Sequence, residues 1–224
     1  MIFFVLQGFL NPTFSEFSYF FLLNVIRISK LLFAVLVLVG QVCHIIGALV
    51  YKAFCRGVDT RWMILFAMIT AVVSTFLNFV FAKRWNKNMG IDDIFFLFFT
   101  DVVFSTIQTL MYTLPIMALF AKITPKRIEG TTFAFLTGTM NFASTVISPG
   151  MGTLINHEFV HVNKRDLSNY STLCLIAFIC AIVTFILLPL IPTKLQIREF
   201  RDIRDLYYEE IKQKRRERRH IKQK

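Results

Sequence analysis

Apolar and polar positions along this chain fall into six long apolar stretches joined by short polar ones. The first runs from Ile2 to Leu23 and is interrupted at Asn11-Pro12. The second covers Leu31 to Phe54, the third Trp62 to Ala82, and the fourth Ile94 to Ala121. The fifth, Gly130 to Ile155, is the least hydrophobic. The sixth runs from Ser171 to Ile191, where Pro189 and Pro192 stop it. A helix needs about 20 mostly apolar residues to cross the hydrocarbon core of a bilayer. The fourth stretch, at ~1.5 Å per residue, reaches roughly 42 Å and has length to spare for tilting. The pattern predicts an all-α fold, a membrane helical bundle of about six transmembrane helices. Pro12 removes a backbone donor and kinks its helix. Such a break persists at membrane depth where neighbouring helices or a cavity take up the freed groups.

The predicted connections are Cys55 to Arg61, Lys83 to Asp93, Lys122 to Glu129 and Asn156 to Tyr170. None is long enough to hold a soluble domain. Residues 1–192 therefore read as one transmembrane domain and 193–224 as a basic tail. In the tail, Ile197, Phe200, Ile203, Tyr207 and Ile211 recur at helical spacing among charges. That pattern fits a solvated helix capping the bundle, and equally an interfacial helix on anionic lipid.

Composition supports a lipid environment. Hydrophobic residues make up 55% of the chain and charged residues 17%, against roughly 25% charged in soluble domains. The N-terminus, MIFFVLQGFLNP, has no basic n-region or small-residue cleavage site, so no cleavable signal peptide is expected. Cys43, Cys55, Cys174 and Cys180 form no CxxC pair and read as small packing residues. The net charge of +11 is concentrated in the tail, where 12 of the 25 Lys and Arg stand against 6 of the 14 Asp and Glu. In so hydrophobic a chain this is a cytoplasmic membrane flank, not a nucleic-acid surface. The KRRERR run at 214–219, which has the composition of a nuclear signal, is read the same way. Among the loops, Lys52, Arg56, Arg61, Lys122, Lys126 and Arg127 nearly balance Arg27, Lys30, Lys83, Arg84, Lys87, Lys164 and Arg165. The tail decides the orientation and places both termini in the cytoplasm.

Ionisable groups inside spans are costly and are functional candidates by default. Glu16 follows the break in the first span by one turn, and Asp101 sits about two turns into the fourth, with Gln108 two turns beyond it. A carboxylate surrounded by low dielectric exchanges protons near neutral pH more readily than one in water. It can also bind a cationic or hydrogen-bonding ligand, or simply reach the interface. His44, with Gln41 a turn before it, reads as a hydrogen-bonded packing residue. Asn78 and Asn141 fit interhelical hydrogen bonds. Ala134, Gly138, Gly150 and Gly152 with Pro149 suit close helix approach and a bend in the fifth span. There is no GxSxG, Walker loop, HExxH or Cys/His metal spacing. Asp101 has no second aspartate and His44 has no obvious serine partner. No enzyme, cofactor or metal is expected.

The stretch Asp101…Pro115…Ala121-Lys-Ile-Thr-Pro125…Glu129-Gly130-Thr131…Phe133-Ala134…Asn141 resembles the folate–biopterin transporter family of the major facilitator superfamily. Pro12-Thr-Phe-Ser-Glu16-Phe-Ser-Tyr19 is similar to that family's seventh helix, and Asp166-Leu-Ser-Asn169 and Leu188-Pro189 also fit. The likeness runs from about residue 1 to 192 and covers only the family's C-terminal six-helix half. It implies a secondary transporter of folate, pterin or a related small solute, working by alternating access with possible proton coupling. Glu16, Asp101, Gln108 and Asn141 would contact substrate or the coupling proton. Arg127, Glu129 and Gly130 would form a cytoplasmic gate or loop anchor. The implied partners are the lipid bilayer, a small-molecule solute, and an N-terminal transporter half or another membrane subunit, since one half does not enclose the site alone. The alternative is a non-transporting structural membrane subunit derived from a transporter half.

Overall fold

The computed structural model describes residues 1–55, 57–124, 129–193, 195–199, 202, 203 and 206, without the side chain of Glu129. Among the described residues, eight helices make up the bundle. They are α1 (Ile2–Leu10), α2 (Ser15–Asn24), α3 (Lys30–Cys55), α4 (Thr60–Ala82), the short α5 (Trp85–Asn88), α6 (Asp93–Ile123), α7 (129–160) and α8 (Tyr170–Leu190). Three long apolar helices begin at side-chain caps. Ser29 accepts from the Leu32 N–H, Asp59 from Arg61 and Asp92 from Ile94, each at 3.1–3.2 Å. Each cap satisfies an amide that the first turn leaves without an intrahelical partner.

Four helices, α3, α4, α6 and α8, are long and apolar enough to cross a membrane. The first predicted span is two short helices of 9 and 10 residues, neither of which crosses alone. The fifth, α7, has the length but carries too many Thr, Ser, Asn and Gly to match the apolarity of the rest. It also continues to Val160, so the following connection is shorter than the sequence suggests. The connection after α4 holds the α5 turn, whose fully buried Asn86 donates to Asp93 Oδ1 at 2.7 Å while Arg84 pairs with Asp93 Oδ2 at 3.0 Å.

Prolines explain the irregular turns. Pro115 in α6 follows a wider π-type turn at Thr109–Thr113, and Pro149 in α7 follows one at Ala143–Ile147. Each proline withholds the N–H that the preceding turn expects, and the wider turn redistributes the freed carbonyls. Pro189 sits in a 3₁₀ segment, Thr184–Leu190.

Two apolar clusters anchor opposite ends of the bundle. One gathers Phe21, Leu22, Val80, Phe81, Phe96, Leu97, Tyr170 and Leu173. The other gathers Phe4, Ile64, Met68, Ile116, Phe120, Leu136 and Leu187. The exterior is also apolar, with Leu38, Ile45, Phe66, Val146, Ile179 and Ile186 all exposed. An apolar exterior around a partly polar interior is stable in lipid and not in water.

The break at 11–14 is built into the packing. The Thr13 amide donates to the Ser148 carbonyl at 3.2 Å, and the Ser148 hydroxyl donates to the Asn11 carbonyl. Gly152, one turn past Ser148, lies so close that a Cβ there would strike the Thr13 carbonyl. Gly8 meets the Ala143 carbonyl in the same crossing, at 2.9 Å from an added Cβ. The small residues of the fifth span divide: Gly152 serves close approach, while Gly138 and Gly150 face open space. Gly152→Ala is expected to destabilise the bundle by about 1–3 kcal/mol, the usual range for overpacking a tight site, with Gly150→Ala neutral. Thermal unfolding in detergent checks this, and equal melting temperatures for the two variants would refute it.

Candidate functional site

Between the two apolar clusters lies a polar waist. α6 supplies its spine: Asp101, Ser105, Gln108 and Tyr112 follow one another at spacings of four, three and four, so they share one helix face. Gln108 donates to the Ala67 carbonyl at 2.7 Å and to Thr70 Oγ1 at 3.0 Å, both on α4. The Tyr112 hydroxyl donates to Gln7 Oε1 on α1. This bond lies between two cavities. One, of about 150 Å³, is lined by Gln7, Asn11, Thr13, Tyr112, Ser144 and Ser148. The other, of about 200 Å³, is lined by Gln7, Asn11, Ala67, Gln108, Tyr112 and Thr184. The Asn11 carboxamide borders both and has no hydrogen-bond partner among the described residues.

A third cavity, of about 180 Å³, opens between α3 and α6. Gln41, His44, Asp101 and Ser105 line it together with Leu22, Ile28 and Leu97. His44 Nε2 lies 3.3 Å from Ser105 Oγ. The serine partner that the sequence did not reveal for His44 is therefore Ser105, one turn after Asp101.

The four predicted solute or coupling residues do not form one cluster. Asp101 and Gln108 share the α6 face but open onto different cavities. Asn141 is exposed on α7, and its side chain has no partner among the described residues. Glu16 opens α2 and is not solitary, since its carboxylate takes Lys164 Nζ at 2.7 Å with both side chains 61% exposed. The Lys164 ammonium also stands 5.1 Å over the Phe20 ring, and its carbonyl accepts from Asn24 Nδ2. The loop 161–169 is thus tied down along α2. Asp166 turns that loop by accepting the Ser168 N–H at 3.1 Å, which holds its exposed carboxyl below the usual carboxylate range. Of the predicted gate, Gly130 is exposed in the first turn of α7, while Arg127 and the Glu129 side chain lie outside the described residues. So does most of the predicted tail, in which 195–199 are helical.

Gln7, Asn11, Ser105, Tyr112 and Ser148 were not singled out as site residues from the sequence. The signal for four of them was present: Gln7 and Asn11 are four apart, and Ser105 and Tyr112 continue the Asp101–Gln108 face. Ser148 becomes visible only when α7 is packed against the break.

An apolar multi-helix bundle with inward polar groups defines an integral membrane protein. The chain belongs to the BT1 family, whose family model matches residues 1–210. It is 32% identical over 154 residues to the Arabidopsis thaliana protein named "Probable folate-biopterin transporter 6", covering 69% of this chain and 30% of that protein. It is 27% identical to the folate-biopterin transporter of Synechocystis sp., over 69% of this chain and 31% of that protein. It is 23% identical to folate transporter 1 of Plasmodium falciparum, over 83% of this chain and 36% of that protein. The chain spans about a third of the length of these relatives. No solved structure matches it. These relatives are named as transporters of folate or of folate and biopterin.

Gln108→Leu removes both bonds to α4 and is expected to cost about 1 kcal/mol, in the range measured for interhelical hydrogen bonds in membranes. Asn141→Ala, at an exposed side chain without a partner, leaves the melting temperature unchanged. A Gln108→Leu protein melting with the wild type would show that the waist bonds carry no stability.

Proposed function

We propose that this chain forms part of a secondary transporter that moves folate, pterin or a related small solute across its membrane by alternating access, coupled to protons. The observation that carries this reading is the helix break at Asn11–Phe14, where the Asn11 carboxamide, without a partner among the described residues, borders two partly polar cavities between the apolar ends of the bundle. Interrupted helices near the midplane are where secondary transporters place their solute and coupling-ion sites. The lining chemistry suits a flat, amide-edged heteroaromatic ring. Asn11 offers a paired donor and acceptor, Gln7 its amide N–H groups and Gln108 its carbonyl oxygen, while Tyr112 offers a hydroxyl oxygen and a ring face.

Each cavity is smaller than the roughly 300 Å³ at which sites for drug-sized ligands begin. The solute site is therefore completed by a second helical half, or another membrane subunit, laid against the open side. There Thr13, Glu16, Asn141 and Ser144 remain exposed. In this arrangement Glu16, with its Lys164 partner, and Asp101 are the coupling or solute-contacting groups, Gln108 and Asn141 are polar liners, and the 127–130 segment gates the cytoplasmic side. The basic tail lies in the cytoplasm, in accord with the Lys/Arg bias.

The test is uptake of labelled folic acid and biopterin by the assembled transporter. Asp101→Asn and Glu16→Gln are each expected to lower uptake by about a hundredfold, the lower range for loss of a proton-transferring group, at unchanged abundance in the membrane. Normal uptake by both variants would remove these roles.

A further inference from the structure

The cavity between α3 and α6 has a chemistry distinct from the amide-rich waist. It holds a carboxylate, an imidazole, a hydroxyl and a carboxamide within an otherwise apolar lining of Leu22, Ile28, Phe33, Leu36, Val37, Leu97 and Val102. α3 and α6 cross closely here, since a Cβ on Gly47 would come within 3.1 Å of Thr106 Cγ2. The hydrogen-bond geometry suits one tautomer of the imidazole. The Ser105 hydroxyl lies 3.1 Å from the Val102 carbonyl and donates its one hydrogen there. With that hydrogen so placed, its oxygen accepts from His44, the arrangement in which Nε2 carries the ring hydrogen. In that tautomer Nδ1 is a bare acceptor, and it has no hydrogen-bond partner among the described residues.

We propose that this cavity is a proton-binding site, in which His44 Nδ1 takes the transported proton and the Asp101 carboxylate balances the charge. The inference rests on the transport reading above and deepens it by naming the proton's acceptor atom. A hydronium entering the cavity gives one proton to Nδ1 and leaves as water, and no other bond changes. The imidazolium keeps its Nε2–H on Ser105, so the ring does not have to turn. Ser105 is a positioning residue: it selects the tautomer and does not itself take the proton. Gln41, one turn before His44, supplies a further polar group to the same cavity.

The surrounding charges are few. On α6 the only ionisable group lining the cavity is Asp101, and on α3 it is His44. α2 contributes Leu22, and its Glu16 and Tyr19 do not line the cavity. The α2–α3 connection contributes Ile28, whose neighbours Arg27 and Lys30 stand outside the lining. On α8, Tyr170 lies within electrostatic reach of Asp101 and is hydrogen-bonded to Cys174. A histidine and an aspartate lining one cavity among apolar side chains of a membrane bundle have the makeup of intramembrane proton relays.

Two measurements test the assignment. In membrane vesicles containing the assembled transporter, solute accumulation driven by an imposed pH gradient is compared with counterflow exchange at equal pH, using labelled folic acid and biopterin. His44→Gln is expected to lower accumulation about tenfold more than it lowers exchange, the scale of a site-to-site coupling energy. Equal effects on both would overturn the proposal. The second measurement needs no solute. In purified protein with isotope-labelled histidine, the His44 ring signal, assigned by its loss in His44→Gln, should gain its proton at Nδ1 when the medium is acidified. Ser105→Ala should disturb the tautomer populations of that signal. A ring that stays neutral throughout would overturn the proton site even if transport were normal. Absence of any exchange by the wild type would instead overturn the transport reading, and the ring titration would still decide this one.

Discussion

Much of this structure depends on how an interrupted backbone is satisfied inside an apolar bundle. At residues 11–14 the chain stops being helical where no water is assured, and each stranded carbonyl or amide there would cost several kcal/mol in hydrocarbon. α7 answers that demand. Ser148 provides both a carbonyl for the Thr13 amide and a hydroxyl for the Asn11 carbonyl. Gly152 clears the space that the exposed Thr13 carbonyl occupies. The low apolarity of α7 follows from this service: a helix that must satisfy a neighbour's backbone cannot be uniformly greasy.

The waist then grows from the same constraint. Once Asn11 and Gln7 point inward beside the break, α6 meets them with a matching polar face, and Tyr112 closes against Gln7. Gln108 carries that face across to α4. The two apolar clusters at either end keep the polar groups away from lipid. Burial of aromatic side chains holds the ends, and hydrogen bonds hold the middle, which is where the cavities lie.

The helical class and the positions of four of the six apolar segments were legible because length and apolarity alone decide them. Pro12 also announced the break, although its resolution into two short helices depended on Ser148 and Gly152, which lie some 135 residues away in sequence. The polar face of α6 was half visible: Asp101 and Gln108 stood out as unusual in a span, while Ser105 and Tyr112 did not, because hydroxyl-bearing residues are ordinary in such helices. Glu16 shows the opposite case. Its setting in an apolar stretch suggested a carboxylate at depth, but its ion pair with Lys164 depends on how the loop 161–169 folds back along α2, and no local pattern encodes that. The family likeness rested on contiguous motifs in α6 and α7, which are visible in sequence without any packing.

One helix stands apart mechanically. α3 buries only Gly40 and Gly47 between Lys30 and Val50, and most of its surface already lies outside the protein. The His44–Ser105 contact is a polar tie between it and α6. Displacing such a helix gives up little packing, because lipid tails replace one apolar neighbour with another of similar cohesion. Stiffness in this bundle is thus unevenly distributed: α4 and α8 form a rigid keel, and α3 is a compliant arm whose position one protonatable ring can bias.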